Sequence, residues 1–315
     1  MLEFTLLAVG LLLLVFGGDF LVKGAVGLAE KLEISPLIIG LTIVAFGTSA
    51  PELFISVQAA LGGAPGIAIG NVVGSNIANV LLVVGIPAFI AASRCDDAGI
   101  GRNMLVMLGF TIVFIGMLFD GYLSRLDGAI LAGLLGLFIF DQVRSAINAP
   151  DEEAVEDYHD EVQNIPSTPL WIAGMLLIGI VMLPFGADLT VVNATKIAKS
   201  WNVSDAVIGL TVVAIGTSLP ELATSVMATI RGNSSLAIGN VVGSNIFNIG
   251  LIMGTATLIQ PMEVDPHFFE LDVWIMLACA ILIAILAHWR FKIGKRVGVA
   301  MMLGYSIYIG SAFIS

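Results

Sequence analysis

The chain has 315 residues, 58% of them hydrophobic and only 12% charged, with a mean hydropathy of +1.01 and a formal net charge of −11. A water-soluble domain of this size needs a charged exterior that this composition cannot supply, so that class is excluded. Alternating short strands are absent, which argues against a transmembrane β-barrel and leaves an all-α polytopic membrane protein.

Apolar runs of about 20 residues, the length that crosses a bilayer core as a helix, recur from end to end. The first, roughly 3–22, has no basic start, carries Glu3 and is too long for a signal-peptide core, so it reads as a span rather than a cleaved leader. The second, roughly 36–61, contains Gly47-Thr48-Ser49-Ala50-Pro51-Glu52. Pro51 has no N–H, so the carbonyl four residues back loses its partner and the ring clashes with it. Gly47 adds backbone freedom, and Thr48 and Ser49 can cap a half-helix that restarts at Pro51. The expected result is two half-helices with an unwound joint at mid-membrane. Irregular backbone at that depth persists only where it lines a cavity or binds something. Glu52 follows directly, and an ionisable residue deep in a span costs about 2.5–3.5 kcal/mol or more, which makes it a functional-site hypothesis.

The third span, roughly 66–92, contains Gly70-Asn71-Val72-Val73-Gly74-Ser75-Asn76-Ile77-Ala78-Asn79. Asn71, Ser75 and Asn79 share one helix face, while Gly70 and Gly74 have the small-xxx-small spacing that lets helices approach closely. Spans at roughly 103–120 and 126–145 complete the first half. Residues 151–161 then hold seven of the 24 acidic residues, between Pro150, Pro166 and Pro169. This stretch reads as a solvated hinge or a low-affinity cation sensor, and is too short for a folded regulatory domain. Five more spans follow, at roughly 170–190, 205–230, 236–259, 270–288 and 296–314.

The second half repeats the first. Residues 39–85 align with 208–254 at a constant offset of 169, without gaps and with about 29 of 47 positions identical. Asp19 falls on Asp188, Ser35 on Ser204, and the glutamate motif on Gly216-Thr217-Ser218-Leu219-Pro220-Glu221. The Asn motif recurs as Gly239-Asn240-Val241-Val242-Gly243-Ser244-Asn245-Ile246-Phe247-Asn248. Five spans per copy is an odd number, so the second copy enters the membrane upside down, an arrangement known among transporters with broken helices. The expected domains are a first repeat at 1–145, an acidic linker at 146–169 and an inverted second repeat at 170–315.

The basic residues fit this count. Arg125, Lys196 and Lys199 fall on the side of both termini, and the other ten Lys and Arg fall on the opposite side. The positive-inside rule places the acidic linker in the cytosol and both termini outside. Trp171 and Trp289 fall at span ends, as interfacial anchors do. Cys95 and Cys279 have no spacing partner and support neither a metal-thiolate site nor a disulfide framework.

Inverted symmetry brings Glu52 and Glu221 together. Two facing carboxylates repel, and a divalent cation or a set of Na⁺ ions removes that penalty. Hard cations take oxygen ligands, six to eight for Ca²⁺, and glutamates, asparagines, hydroxyls and carbonyls freed near Ala45 and Ala214 supply that inventory. The soft or imidazole ligands of a zinc or copper site are missing. Asp19 and Asp188, near the ends of their spans, could line an access path or bond to backbone or, for Asp19, to Lys23.

The paired Gly-Thr-Ser-x-Pro-Glu and Gly-Asn-x-x-Gly-Ser segments resemble the two α-repeats of the cation/calcium exchanger superfamily, specifically its prokaryotic sodium/calcium exchangers. The resemblance spans nearly the whole chain. It implies a ten-helix fold with four ion sites around the two glutamates. The implied ligands are the Ala45 carbonyl, Thr48, Ser49, Glu52, Ser75 and Asn79, and the Ala214 carbonyl, Thr217, Ser218, Glu221, Ser244 and Asn248. Sodium/calcium members often carry Asp at one of the positions held here by Asn79 and Asn248. With Asn at both, Ca²⁺ is balanced by Glu52 and Glu221 alone. The proton-coupled branch resembles Gly-Asn-Ala-x-Glu at the glutamate motif, and this chain does not.

The reading is an antiporter, not an enzyme, that extrudes Ca²⁺ against Na⁺ entry by alternating access. Its substrates are Ca²⁺ and Na⁺ and its surroundings a lipid bilayer, with no cofactor, nucleic acid or protein partner. A proton-coupled exchanger on the same scaffold is the alternative. A passive cation channel does not fit the paired motifs. An intramembrane enzyme lacks its constellation, since His159, His267 and His288 lie in predicted loops or at span ends.

Overall fold

Hydrocarbon offers no partner to a backbone N–H or C=O, so each crossing segment must satisfy its own as a helix. The computed structural model of the protein describes residues 2–94, 99–148, 166, 168–201, 214–289 and 291–311. The acidic stretch 151–161, Cys95, His159, Arg290, Ser204 and the start of the second repeat motif at Ile208 lie outside the described residues.

Span 1 is Leu2–Leu32, span 2 is Pro36–Thr48 followed by Ala50–Leu61, span 3 is Pro65–Ile90, span 4 is Ile100–Leu118 and span 5 is Arg125–Asn148. Span 6 is Pro169–Ser200, and span 7 is described as Ala214–Thr217 followed by Leu219–Ile230. Span 8 is Ser234–Ile259, span 9 is Asp272–His288 and span 10 is Lys295–Ser311. Among the described residues six helices are long and apolar enough to cross a membrane alone, and the bent pair of span 2 makes a seventh. Spans 9 and 10 have 17 residues each, and span 7 is described only in part. The architecture is all-α, ten spans in two inverted sets of five.

Spans 1 and 6 depart from expectation. The sequence ends them near 22 and 190, yet they run for 31 and 32 residues. At 1.5 Å per residue each is about 46–48 Å long, well beyond the ~30 Å hydrocarbon core. Polar residues here prolong the helix instead of ending it: Asp19 and Lys23 form an i, i+4 ion pair at 2.9 Å. Asp19 and Asp188 therefore sit in mid-helix, not near span ends.

The two long helices lie antiparallel along a glycine seam. Gly10, Gly17 and Gly24 recur every seven residues and face Thr190, Leu183 and Leu176 in descending order. From the other side, Gly179 faces Leu21 and Gly186 faces Gly10 and Leu13. Without side chains at these positions the backbones come close enough for dispersion contact, which replaces the hydrophobic drive absent in lipid. A second close approach joins span 8 to the first part of span 2, where a Cβ on Gly239 would meet the Leu37 carbonyl at 2.6 Å and one on Gly243 the Leu41 carbonyl at 2.7 Å. Packing accounts for those two glycines. At Gly74 nothing among the described residues comes within 4 Å, and the matching partner region of span 7 falls outside them.

Two short antiparallel ladders pin the loops. Strand β1 (Ser93–Arg94) pairs with β4 (Lys292–Ile293), and β2 (Tyr122–Leu123) pairs with β3 (Met262–Glu263). Each ladder needs its two loops on one membrane face. The 3–4 and 9–10 loops share one face by span parity, and the 4–5 and 8–9 loops share the other, as ten complete crossings require. The ladders help tie spans 2–5 to spans 7–10, whose apolar residues form one large core. Spans 1 and 6 pack in a second core with parts of spans 2, 7 and 8.

Gly179→Ala sets a methyl 2.8 Å from the Leu21 backbone nitrogen, which cannot yield without moving span 1. The expected cost is about 1–3 kcal/mol, read as a lower melting temperature of the detergent-solubilised protein. Gly109→Ala, with open space around it, is expected to be neutral or stabilising by up to about 1 kcal/mol.

Candidate cation site

The joint in span 2 is tighter than expected. Gly40–Val44 is wound as a π-helix, Ala45–Thr48 returns to α, and the helices on either side of Ser49 differ in direction by 46°. Ser49 alone leaves helical geometry, at φ −84° and ψ 3°, and Ser218 matches it at φ −88° and ψ 7°. The backbone is kinked at one residue, not unwound. Neither serine caps the helix after it, because proline in the first turn leaves fewer N–H groups to cap. Nor is the Ala45 carbonyl freed: it accepts from the Ser49 N–H at 3.0 Å, with Thr48 Oγ1 at 3.3 Å. The carbonyl that Pro51 deprives of an N–H is that of Gly47. In the second repeat the Ser218 N–H bonds instead to the Ile215 carbonyl at 3.1 Å, and Ala214 opens the short helix before the kink.

The hydroxyls released from capping point across the repeat. Ser49 Oγ donates to Glu221 Oε1 at 3.3 Å, and Ser218 Oγ is buried without a partner. Thr48 Oγ1 reaches Asn240 Oδ1 at 3.2 Å and Ser244 Oγ at 3.4 Å. These contacts draw the two glutamate motifs to one place. Glu52 and Glu221 are each only 1% exposed, and each has an Oε2 without a hydrogen-bond donor among the described residues. A carboxylate oxygen in that position needs a cation or a donor.

Two asparagines brace these helices symmetrically. Asn71 Nδ2 donates to Ser56 Oγ at 2.9 Å and lies 3.5 Å from the Glu52 carbonyl. Asn240 Nδ2 makes the matching contacts with Ser225 Oγ at 3.1 Å and the Glu221 carbonyl at 3.3 Å. Asn71 thus shares a face with Ser75 and Asn79 but holds backbone. Ser75, Ser244, Asn79 and Asn248 are all buried. Asn79 and Asn248 each begin a π-helical segment, Asn79–Val83 and Asn248–Met253. A π-turn widens the helix by one residue per turn and is common at functional sites. Sequence reading missed these segments, since no residue type marks a π-turn. It also gave no role to Asn76 and Asn245, although both recur in the repeat. Both Asn79 side-chain atoms and Asn248 Oδ1 are buried without partners.

A crevice of about 570 Å³ is lined by Ala50, Pro51, Phe54 and Ile55 of span 2, Gly216 and Thr217 of span 7, and span 6 residues including Asp188. By span parity this is the face that bears the termini. On the opposite face Asp19 is held between Lys23 and Arg231, the Arg231 guanidinium donating to Asp19 Oδ1. The repeat-equivalents of Asp19, Lys23 and Arg231 are Asp188, Val192 and Gly62, so neither basic partner of Asp19 is repeated for Asp188. Of the two sequence alternatives for these acids, Asp19 is in a structural pair and Asp188 lies on the path.

The sodium/calcium exchanger protein family matches the chain over residues 2–143 and 171–314. The inner membrane protein YrbG of Escherichia coli is 37% identical over 98% of this chain and 96% of its own length. The sodium/calcium exchanger MaX1 of Methanosarcina acetivorans is 34% identical over 98% of this chain and 97% of its own. Among solved structures, the sodium-calcium exchanger NCX_Mj soaked with Na⁺ and Ca²⁺ superposes with a TM-score of 0.84 at 34% identity, covering 99% of this chain and 98% of that one.

In a Cys95→Ser, Cys279→Ser background, Asp188→Cys is expected to react with a membrane-impermeant maleimide from the face that bears the termini. Ser56→Cys, fully buried, is expected to stay unlabelled. Equal labelling of both would contradict the crevice.

Proposed function

The chain belongs to the sodium/calcium exchanger protein family, a multi-pass membrane cation antiporter and not an enzyme, and we propose that it exchanges Na⁺ for Ca²⁺ by alternating access. The observation that carries this reading is the pair of buried glutamates, each with a carboxylate oxygen that no protein donor satisfies. The oxygen inventory around them is hard and neutral: Ser49, Ser218, Thr48, Thr217, Ser75, Ser244, Asn79 and Asn248, with the carbonyls of Ala45 and Ala214. Ligation by the Ala45 carbonyl requires it to share a lone pair now directed at Ser49 and Thr48.

The charge arithmetic follows from the ligand set. Glu52 and Glu221 carry at most two negative charges, and one Ca²⁺ neutralises both. The emptied site leaves two like charges in a low-dielectric interior, at a penalty of several kcal/mol per uncompensated ion. An empty carrier therefore does not readily close over its site, whereas Ca²⁺ or Na⁺ allows it to. That condition couples the two fluxes. If Na⁺ and Ca²⁺ charges do not balance over a cycle, each elementary charge moved is worth about 2.3 kcal/mol per 100 mV.

Direction follows from the basic residues. Ten of 13 Lys and Arg fall on the face opposite the termini, which supports a cytosolic acidic linker at 146–169 between repeats at 1–145 and 170–315. The two stretches matched by the family support the same division. The crevice then opens to the outside, and the Asp19–Arg231 pair closes the cytosolic face.

The test is radioactive Ca²⁺ uptake into proteoliposomes loaded with Na⁺ and diluted into Na⁺-free buffer, beside vesicles given only an outward proton gradient. Uptake is expected only with internal Na⁺. Uptake driven by the proton gradient alone would keep the glutamates and overturn the coupling ion. Glu52→Gln and Glu221→Gln are each expected to reduce exchange to background in protein that still elutes as one folded species. Full exchange in either would refute the site.

A further inference from the structure

Resting on the proposed cation site, we infer that Asn76 is a positioning residue that turns the Asn248 carboxamide so its oxygen, not its nitrogen, faces the cation. A neutral carboxamide beside a cation is useful in only one of its two orientations, because Oδ1 attracts the ion and the Nδ2 hydrogens repel it. Something must choose between them.

Here the choice is made by a chain of hydrogen bonds that starts at backbone. The Asn245 carbonyl of span 8 can only accept. Asn76 Nδ2 donates to it at 3.4 Å and also lies 3.9 Å from the sulfur of Met276. With its nitrogen committed on that side, Asn76 can offer only Oδ1 on the other, and Asn248 Nδ2 donates to it at 2.9 Å. The Asn248 oxygen is thereby turned away from Asn76 and is buried without a partner. Reversing either amide would set two acceptors or two donors face to face. All these residues are at most 4% exposed, which makes an unpaired donor or acceptor among them costly.

The inverted repeat does not reproduce this relay. The counterpart of Asn76 is Asn245, whose Nδ2 is spent within its own helix on the Val241 carbonyl at 2.9 Å. The counterpart of Asn248 is Asn79, which has neither side-chain atom paired. Two asparagines identical in the sequence pattern are therefore unequal. Asn248 is fixed as an acceptor before the ion arrives, while Asn79 takes its orientation from whatever occupies the site.

The experiment is equilibrium binding of Ca²⁺ alone to the purified full-length protein in detergent. Asn248→Ala is expected to weaken Ca²⁺ binding, and Asn76→Leu, nearly isosteric but without an acceptor, to weaken it about 10-fold, at the low end of the 10–100-fold typical of such outer partners. In the Asn248→Ala background, Asn76→Leu is expected to add less than about twofold, because the relay ends at Asn248. Asn76→Ala replaces Leu if the Leu variant does not fold. Unchanged binding in Asn76→Leu or Asn76→Ala, or a full additive loss in the double variant, would each overturn the relay while leaving the ligand assignment intact. Unchanged binding in Asn248→Ala would remove Asn248 from the site itself, and the relay with it.

Discussion

Two carboxyl groups held together in a hydrocarbon-embedded interior are the constraint to which the rest of this structure answers. Glu52 and Glu221 are almost completely buried, and their environment supplies hydroxyls and amides but no basic side chain among the described residues. A lysine or arginine there would satisfy them permanently. Its absence leaves the balance to a mobile ion, consistent with membership of a cation antiporter family. The kinks at Ser49 and Ser218 follow from the same need. A helix that passed straight through would bury Thr48 and Ser49 oxygens in its own turn, whereas a 46° bend lets them reach the other repeat.

Inverted repetition supplies the site with paired parts, and small departures from it supply direction. Asn71 and Asn240 brace the two glutamate helices alike. Asp19 and Asp188 do not behave alike, because Arg231 and Lys23 have only Gly62 and Val192 as counterparts. The two basic partners that hold Asp19 are therefore not repeated for Asp188. The Asn76–Asn248 bond is a second departure, set this time by a backbone carbonyl and not by a substitution in the motif.

The apolar packing falls into two cores. Spans 2–5 and 7–10 share one core and are fastened by a β-ladder on each face. Spans 1 and 6 form a separate antiparallel pair on a seam of glycines. Along that seam the glycines of one helix receive side chains of the other, such as Leu176 and Leu183. The crevice lies where span 6 meets spans 2 and 7.

Much of this was legible in the sequence. Hydropathy set the all-α class, the offset of 169 revealed the repeat, and the odd span count fixed its inversion. The glutamates stood out because an ionisable residue deep in a span is costly and here appears twice. The length of spans 1 and 6, the π-turns after the asparagine motif, the engaged Ala45 carbonyl and the inequality of Asn79 and Asn248 were not legible. The first three depend on backbone geometry and local bonding that no residue type marks, and the last on which groups meet across the repeats, where a repeated motif gives the same answer for both copies. Sequence alone determined what residues the site could contain, because burial of charge and loss of an N–H at proline are local costs written in residue type. Only the tertiary structure decided how those residues are used, because a hydroxyl or amide takes its role from the partner placed opposite it.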